Sequence, residues 1–148
     1  DLRQDLQIFG GWIMLNLRIV PSTHIQQTWH EVDAMLDKAL AHSAGEYNLD
    51  QLKLLLVEGK QVLLVLVDGE NKIETAFTVE WINHPNHRVA FLTAIGGKTD
   101  INAFNQFKEW VKVNGGTKIQ GAAFESVARL WKKKLGFENR YIIVEYAL

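Results

Sequence analysis

The loop Gly96-Gly97-Lys98-Thr99 is the stretch of this sequence best suited to chemistry, because it directly precedes a predicted helix. Glycine-rich loops that open a helix expose backbone amides, and these amides bind phosphate and other anions. The other reading of the loop is a tight strand-to-helix turn in which Thr99 or Asp100 caps the helix. It is not a Walker A loop, since the spaced first glycine of that motif is missing.

Two carboxylates form a second candidate group. Glu74 and Glu80 lie on one face of a predicted strand, opposite Phe77 and Trp81. One polar and one apolar face are ordinary in an antiparallel sheet, so this pattern has a purely structural explanation.

Histidine and lysine residues form two further clusters. His84 and His87 flank Pro85, but no third ligand is near them in the sequence, so we interpret them as a solvated turn and predict no metal site. Lys132-Lys133-Lys134 spans less than one helical turn, and its side chains therefore point in several directions. The chain has no cysteine, which excludes disulfides, thiolate metal sites and a cysteine nucleophile.

The overall composition is that of one globular domain. The 148 residues are 47% hydrophobic and 22% charged, values close to the globular average. With 16 basic and 17 acidic residues the net charge is −1, so no global field attracts nucleic acid or an anionic membrane. The apolar stretch Ile8 to Leu17 is too short to span a bilayer, and we expect a cytoplasmic protein. We expect residues 1–13 to be an N-terminal extension and residues 14–148 to form the domain.

Hydrophobic periodicity predicts the elements that must position these side chains. The predicted elements are a strand at Leu15–Val20, a helix from a Ser22 cap to about His42, a helix at Leu49–Glu58 capped by Asn48, strands at Gln61–Val67, Ile73–Trp81 and Arg88–Ile95, a helix from Ile101, a strand at Thr117–Ala123, a short helix ending at Gly136 and a strand at Tyr141–Leu148. This order, β-α-α-β-β-β-α-β-α-β, predicts an α/β (α+β) fold with a mixed, mostly antiparallel sheet. The helix between the fourth and fifth strands makes that pair parallel, and we expect Trp29, Phe104 and Phe137 to be buried.

The element order and the last helix resemble the GNAT N-acetyltransferase superfamily, over residues 14–148. Where that family often reads Asn-x-x-Ala-x-x-Leu-Tyr-x-Lys-x-Gly-Phe, this sequence has Ala128, Lys134, Gly136 and Phe137 at the matching positions. The physical part of the match is a helix that ends on a left-handed glycine, after which a phenylalanine packs against the domain.

Three positions depart from the family pattern. The family's phosphate loop reads Arg/Gln-x-x-Gly-x-Gly/Ala, whereas the glycines come earlier here and Asp100 lies where the phosphates are expected. Lys132 replaces the tyrosine that often protonates the leaving thiolate, and Glu125 replaces the asparagine. Divergent GNAT-like proteins of tailed bacteriophages show similar losses, so the resemblance includes a bacteriophage type.

The resemblance implies an acetyl-CoA-dependent N-acyltransferase whose partners are acyl-CoA and an unknown amine acceptor. The implied catalytic residues are Glu80 as base and Lys132 at the position of the tyrosine. The implied acetyl-CoA contacts are Leu92, Thr93, Ala94, Ile95, Gly96, Gly97, Lys98, Thr99, Glu125 and Ala128. The alternative is a catalytically silent GNAT-fold protein with a structural or regulatory binding role.

Overall fold

A computed structural model describes residues 14–148, so the expected extension at residues 1–13 lies outside the described residues. The strands are β1 Asn16–Val20, β2 Val62–Val67, β3 Ile73–Asn83, β4 Arg88–Gly97 and β5 Lys118–Gly121. The helices are α1 Ile25–Leu40, α2 Leu49–Val57, α3 Ile101–Val113 and α4 Glu125–Leu135, and a 3₁₀ turn at Ser22–His24 precedes α1.

The strands form one mixed sheet in the order β1-β2-β3-β4-β5. The first four pair antiparallel with their neighbours. Short turns connect β2, β3 and β4, whereas helices α1 and α2 lie between β1 and β2. β5 pairs parallel with β4, since helix α3 crosses over between them. The predicted fold class, a mostly antiparallel sheet flanked by helices, is confirmed.

Helices cover both faces of this sheet. On one face α1 and α2 bury Val32, Leu36 and Leu52 against alternate residues of β2. On the other face α3 buries Phe107 and Val111 against the intervening residues. Strand β2 is therefore apolar on both sides, as its continuous run of valine and leucine indicates.

Helix starts follow the predicted caps at two of three places. The Asn48 side chain accepts a hydrogen bond from the Gln51 amide at 2.9 Å, and Asp100 accepts one from the Ala103 amide at 2.7 Å. The predicted Ser22 cap of α1 is wrong. The His24 amide bonds to the Pro21 carbonyl at 2.9 Å and closes a 3₁₀ turn, so α1 begins three residues later, at Ile25.

The predicted strand at Tyr141–Leu148 requires a correction. Residues 136–148 form no helix or strand, and their large apolar side chains are exposed. A strand needs a partner for its backbone groups, and no partner strand lies beside this segment within the described residues. The segment therefore has the β-branched and aromatic residues that strands prefer, but it lacks the strand pairing that usually goes with them.

The predicted burial of Trp29, Phe104 and Phe137 is also corrected, because all three are half-buried. Phe104 and Phe137 stack on each other with ring centroids 5.5 Å apart, at the side of a cavity rather than in a closed core. The aromatic side chain of α3 that is buried is Phe107, 4% exposed, which meets Phe77 edge to face at 5.2 Å.

We expect the Phe107→Ala variant to lose about 3–5 kcal/mol of unfolding free energy, since it empties a closed core site. Phe104→Ala is the matched comparison on the same helix, and it should lose about half as much because its ring is half-buried. Chemical denaturation of both variants measures the difference. Equal losses, or near-native stability of Phe107→Ala, would contradict the assignment of the α3 core face.

Candidate active site

The site begins where β4 and β5 part. The two strands pair from Val89 with Lys118 to Leu92 with Gly121, and β5 then ends. β4 continues to Gly97, still paired with β3 on its other side. The outer edge of Thr93 to Gly97 thus has no strand partner in the described part of the chain, and its alternating backbone donors and acceptors face a gap.

A cavity of about 800 Å³ occupies this gap. Its walls are the free edge of β4, the start of α3 and one face of α4. The lining is mostly apolar, and its apolar residues include Leu92, Ile95, Phe104, Val127, Leu130 and Trp131. Its size and apolar character are those of a site that takes a small molecule or a long ligand arm.

A β-bulge sits at the point of divergence. Thr78 pairs with Ala94 and Val79 with Leu92, so Thr93 is an extra residue on β4. Thr93 Oγ1 donates a hydrogen bond to the Gln61 side-chain oxygen at 2.6 Å, which commits its one hydroxyl proton. The Thr78 hydroxyl, 2.6 Å from Thr93 Oγ1, must therefore be the donor of their mutual bond.

This hydrogen-bond chain continues to Tyr47. The buried Gln61 amide accepts from Thr93 with its oxygen, so its nitrogen is the group that bonds to the Tyr47 phenol. The phenol keeps its own proton to donate elsewhere. The chain Thr78, Thr93, Gln61, Tyr47 runs from the cavity wall to the helix α2 side of the sheet.

Glu80 lies close enough to Tyr47 to change its ionisation. Burial raises the pKa of Tyr47 above its ordinary value of 10.0, and the neighbouring Glu80 carboxylate raises it further. The hydrogen bond from Gln61 acts in the opposite direction, and Glu46 adds to the rise. Tyr47 is thus a neutral phenol at physiological pH, next to a half-buried carboxylate on β3. Glu80 lies on the face opposite Phe77, which packs on the α3 side. Glu74 is the extra residue of a bulge, because Thr75 pairs with Leu66 and Ile73 with Val67.

The glycines of the predicted anion loop belong to the sheet. Gly96 pairs with Ala76 and Gly97 with Thr75, so both are strand residues. A Cβ at Gly96 would collide with the Met35 carbonyl of α1, which explains the glycine by close packing. Gly97 has φ +117°, a conformation that favours glycine, and Thr75 bonds to the Lys98 carbonyl at the same turn.

The helix that follows is already capped by an anion. Asp100 is half-buried at the N-cap of α3, and its carboxylate accepts the Ala103 amide. A phosphate bound at this helix start would share the position with that carboxylate. Gly97, Lys98 and Thr99 nevertheless line the cavity, beside the start of α3.

Helix α4 presents a different face to the cavity from the one predicted. Val127, Leu130, Trp131 and Lys134 line it, with the spacing of one helical face. The predicted residues Glu125, Ala128 and Lys132 lie outside the lining, and all three are exposed or half-buried. Trp131 is held against β5, since a Cβ on Gly121 would stand 2.9 Å from its ring.

The predicted site residues therefore divide into two groups. Those on β4 and in the loop are brought together around the cavity: Leu92, Thr93, Ala94, Ile95, Gly97, Lys98 and Thr99. Gly96 faces α1, and Glu80 reaches the cavity wall through Tyr47, Gln61 and Thr93. Sequence reasoning missed Tyr47 and Gln61, because neither belongs to a motif or a periodic face. One sequence signal could have pointed to Tyr47. It directly precedes Asn48, and the Asn48 cap fixes the end of the loop that carries Tyr47.

The remaining features to consider are a metal site, the histidine turn and a membrane-spanning helix. Within residues 14–148, no three His, Asp or Glu side chains lie close enough together to hold a metal ion. His84 and His87 close the β3–β4 turn through a backbone bond of 2.7 Å, and the His87 ring contacts the Thr117 hydroxyl at 3.3 Å. Among the helices described, none has the length and apolar character needed to cross a membrane.

The sequence matches no protein-family model and no curated protein, but solved structures share the fold. An aminoglycoside acetyltransferase from an uncultured soil metagenomic sample, in complex with sisomicin, superposes with TM-score 0.65 and 12% identity over 90% of this chain and 96% of that chain. Aminoglycoside 6'-N-acetyltransferase AAC(6')-Ih from Acinetobacter baumannii gives 0.60 and 14%, over 91% and 98%. A predicted acetyltransferase with acetyl-CoA from Clostridium acetobutylicum gives 0.59 and 16%, over 90% and 96%. The chain therefore has the fold of GNAT acetyltransferases across most of its length.

Proposed function

We propose that this protein is an acetyl-CoA-dependent N-acyltransferase that acts on an amine acceptor. The observation that carries the proposal is the free outer edge of β4, from Thr93 to Gly97, facing an apolar cavity of about 800 Å³. A ligand arm that contains amide groups can pair with such an edge as an added strand. The pantetheine arm of acetyl-CoA is of this kind, and when bound it supplies an activated acyl group as a thioester.

The two sides of the sheet at the Thr93 bulge would bind the two different substrates. The cavity side, with Leu92, Ile95 and Trp131, would hold the acyl donor and exclude water from it. The opposite side, with Glu80 and Tyr47, would receive the acceptor. Amines are protonated at neutral pH, and a carboxylate both attracts the ammonium and accepts its proton directly or through water. Glu80 is the proposed base.

Lys132 is the second proposed catalytic side chain, as a cation that stabilises the departing thiolate. Its side chain is exposed and outside the cavity lining, next to Trp131, which does line the cavity. It would thus act at the mouth of the cavity, by charge and not by proton donation within it. Glu125 and Ala128, on the same helix, are proposed donor contacts from the same exposed side.

A second candidate function is a non-catalytic binding protein with this fold. Two observations favour it: the Asp100 carboxylate at the start of α3, and the exposure of Lys132. Each weakens a contact on which catalysis would depend. The two functions are separated by calorimetric titration with acetyl-CoA together with an assay of thiol release over a panel of amines. Binding with turnover supports the acyltransferase, and no turnover with any amine supports the second function.

We expect Asp100→Asn to bind acetyl-CoA about fivefold to tenfold more tightly than the parent, because removing one like charge beside a phosphate is worth about 1 kcal/mol. Asparagine is as good an N-cap as aspartate, so α3 should stay intact. The measurement is calorimetric titration. Asp50→Asn, an exposed carboxylate of α2, is the control and should change nothing. Unchanged affinity in Asp100→Asn, or no binding by either protein, would count against the donor site.

We expect Glu80→Gln to lower the acetyl-transfer rate more at neutral pH than at high pH, where the free amine is abundant and needs no base. The matched control is Glu74→Gln on the same strand, where Glu74 pairs with Lys72 at 3.7 Å. Thiol release is followed across pH with each variant. Parallel losses in both variants at every pH would refute the role of Glu80.

The same assay tests Lys132. Since its ammonium is exposed, Lys132→Tyr should preserve or raise the rate. A collapse of turnover in Lys132→Tyr together with full activity of Glu80→Gln would show that both roles are wrongly assigned.

We expect the Tyr47 phenol to ionise above pH 10.0, as a step in the ultraviolet titration that disappears in Tyr47→Phe. Because the raised pKa favours the neutral phenol in the folded state, its contribution to stability is present below pH 10.0 and is lost as the pH rises through the folded pKa. Glu80→Gln should move this step to lower pH, and Glu74→Gln should leave it in place. A step that does not respond to Glu80→Gln would remove Tyr47 from the acceptor side.

A further inference from the structure

Gln61 is a buried polar side chain that bonds to both sides of the candidate site. It lies directly before β2 and is 4% exposed. Its oxygen accepts the Thr93 hydroxyl at 2.6 Å, and its nitrogen donates to the Tyr47 phenol. Thr93 lines the large cavity, whereas Tyr47 packs on the α1 and α2 side of the sheet, near Glu80. One amide therefore joins the proposed donor side to the proposed acceptor side.

The direction of these hydrogen bonds determines where the Tyr47 proton points. Because Gln61 gives an N–H to the phenol, the Tyr47 oxygen is the acceptor in their bond. A phenol hydroxyl prefers to lie in the plane of its ring, where its proton has two positions, and the Gln61 N–H takes up the space at one of them. The Tyr47 proton therefore occupies the other position and points away from Gln61.

Tyr47 and Glu80 together present a hydrogen-bond donor and a negative charge. Both side chains are half-buried, so a ligand can reach them. Tyr47 packs against the core beside α1 and α2, and the Asn48 cap fixes the residue that follows it. Burial and then the charge of Glu80 raise the pKa of Tyr47, so the phenol keeps its proton. A ligand that complements this pair carries a positive charge and a hydrogen-bond acceptor close together.

We infer that Gln61 is a positioning residue that aims the Tyr47 hydroxyl at the acceptor, and that the acceptor is an amine with a hydrogen-bond-accepting oxygen on the second carbon from its nitrogen. The inference rests on the proposed acyltransferase function and names the acceptor class of that site. Amino alcohols, amino ethers and α-amino carbonyl compounds share this chemistry.

The acyl-transfer step explains why the phenol is aimed at an oxygen. The amine nitrogen uses its lone pair to bond to the thioester carbon, the carbon–sulfur bond breaks, the thiolate leaves, and Glu80 takes up the proton that the nitrogen loses. A hydroxyl that donated to the nitrogen would occupy that lone pair and oppose the attack. Glu80 binds the ammonium, so the Tyr47 proton is left for a neighbouring oxygen of the same molecule.

The first experiment compares methoxyethylamine with butylamine, two acceptors of equal length that differ in one ether oxygen. Thiol release from acetyl-CoA gives kcat/KM for each amine, in the parent and in Tyr47→Phe. The amines also differ in basicity, but that difference is the same for both proteins and cancels when their ratios are compared. We expect the preference for methoxyethylamine to be about fivefold larger in the parent, because one hydrogen bond is lost in the variant. Glycinamide in the same assay distinguishes a carbonyl oxygen from an ether oxygen.

The second experiment tests Gln61 through Gln61→Glu, which has nearly the same shape. A carboxylate accepts hydrogen bonds and does not donate, so the Tyr47 proton must turn toward it and away from the acceptor. We expect the preference for methoxyethylamine to fall to the value of Tyr47→Phe. A purely structural role would lower both rates by one factor and leave their ratio unchanged. The control is Asn105→Asp, the same amide-to-carboxylate change at an exposed position of α3 on the opposite face of the sheet, and it should keep the parent ratio.

The third experiment uses Gln61→Met, which removes the amide without adding a charge. The hydrogen bond from Gln61 lowers the pKa of Tyr47, so its loss should move the Tyr47 step of the ultraviolet titration to higher pH. Circular dichroism checks that each variant is folded. A step that stays in place in folded Gln61→Met would overturn the role of Gln61, and this measurement needs no turnover.

The results separate this inference from the proposed function. Turnover of the amines with equal ratios in the parent and in Tyr47→Phe would overturn the acceptor class and leave the acyltransferase function standing. No turnover with any amine would instead refute the proposed function. Calorimetric titration with methoxyethylamine and butylamine then tests the recognition of the oxygen directly. Tighter binding of methoxyethylamine that is lost in Tyr47→Phe supports it, and equal binding of the two amines, or none, overturns it.

Discussion

The structure depends on one constraint, which is that β4 has two different partners along its length. Its inner edge pairs with β3 throughout, whereas its outer edge pairs with β5 for four residues and then has no strand partner among residues 14–148. A free strand edge in the interior of a domain must be satisfied by a ligand or by water, because buried backbone groups are costly to leave unpaired. The large cavity, the bulge at Thr93 and the placement of α3 and α4 all lie around this point.

The polar side of the divergence is held by a directed chain of hydrogen bonds. Thr93 gives its proton to Gln61, which fixes the donor in its bond with Thr78 and leaves the amide nitrogen of Gln61 to bond to Tyr47. No side-chain polar atom in this part of the described chain is buried without a partner. A satisfied network of this kind holds each member in one arrangement. Glu80 and Tyr47 thus lie beside a fully hydrogen-bonded network, on the side of the sheet where we propose that an acceptor binds.

Two features differ from the acetyltransferase pattern that this sequence resembles, and each has a local structural cause. Asp100 stabilises α3 as its cap, so its carboxylate contributes to folding at the position where we propose that a phosphate binds. The cavity face of α4 is set by Trp131 against Gly121, which turns Val127 and Leu130 inward and Lys132 outward. The helix that completes the cavity wall therefore keeps Lys132 out of the lining, whereas Lys134 belongs to it.

The sequence by itself determined the elements from β1 to α4, their order and most of their ends. Periodicity and capping are properties of neighbouring residues, so the Asn48 and Asp100 caps and the left-handed Gly136 were readable without a structure. Contacts between distant residues were not readable, because they depend on register and on the paths of loops. Only the tertiary structure placed Gln61 against Thr93, packed Gly96 against α1 and chose the inward face of α4. It also left Tyr141–Leu148 exposed, because strand propensity is local whereas a strand requires a partner from elsewhere.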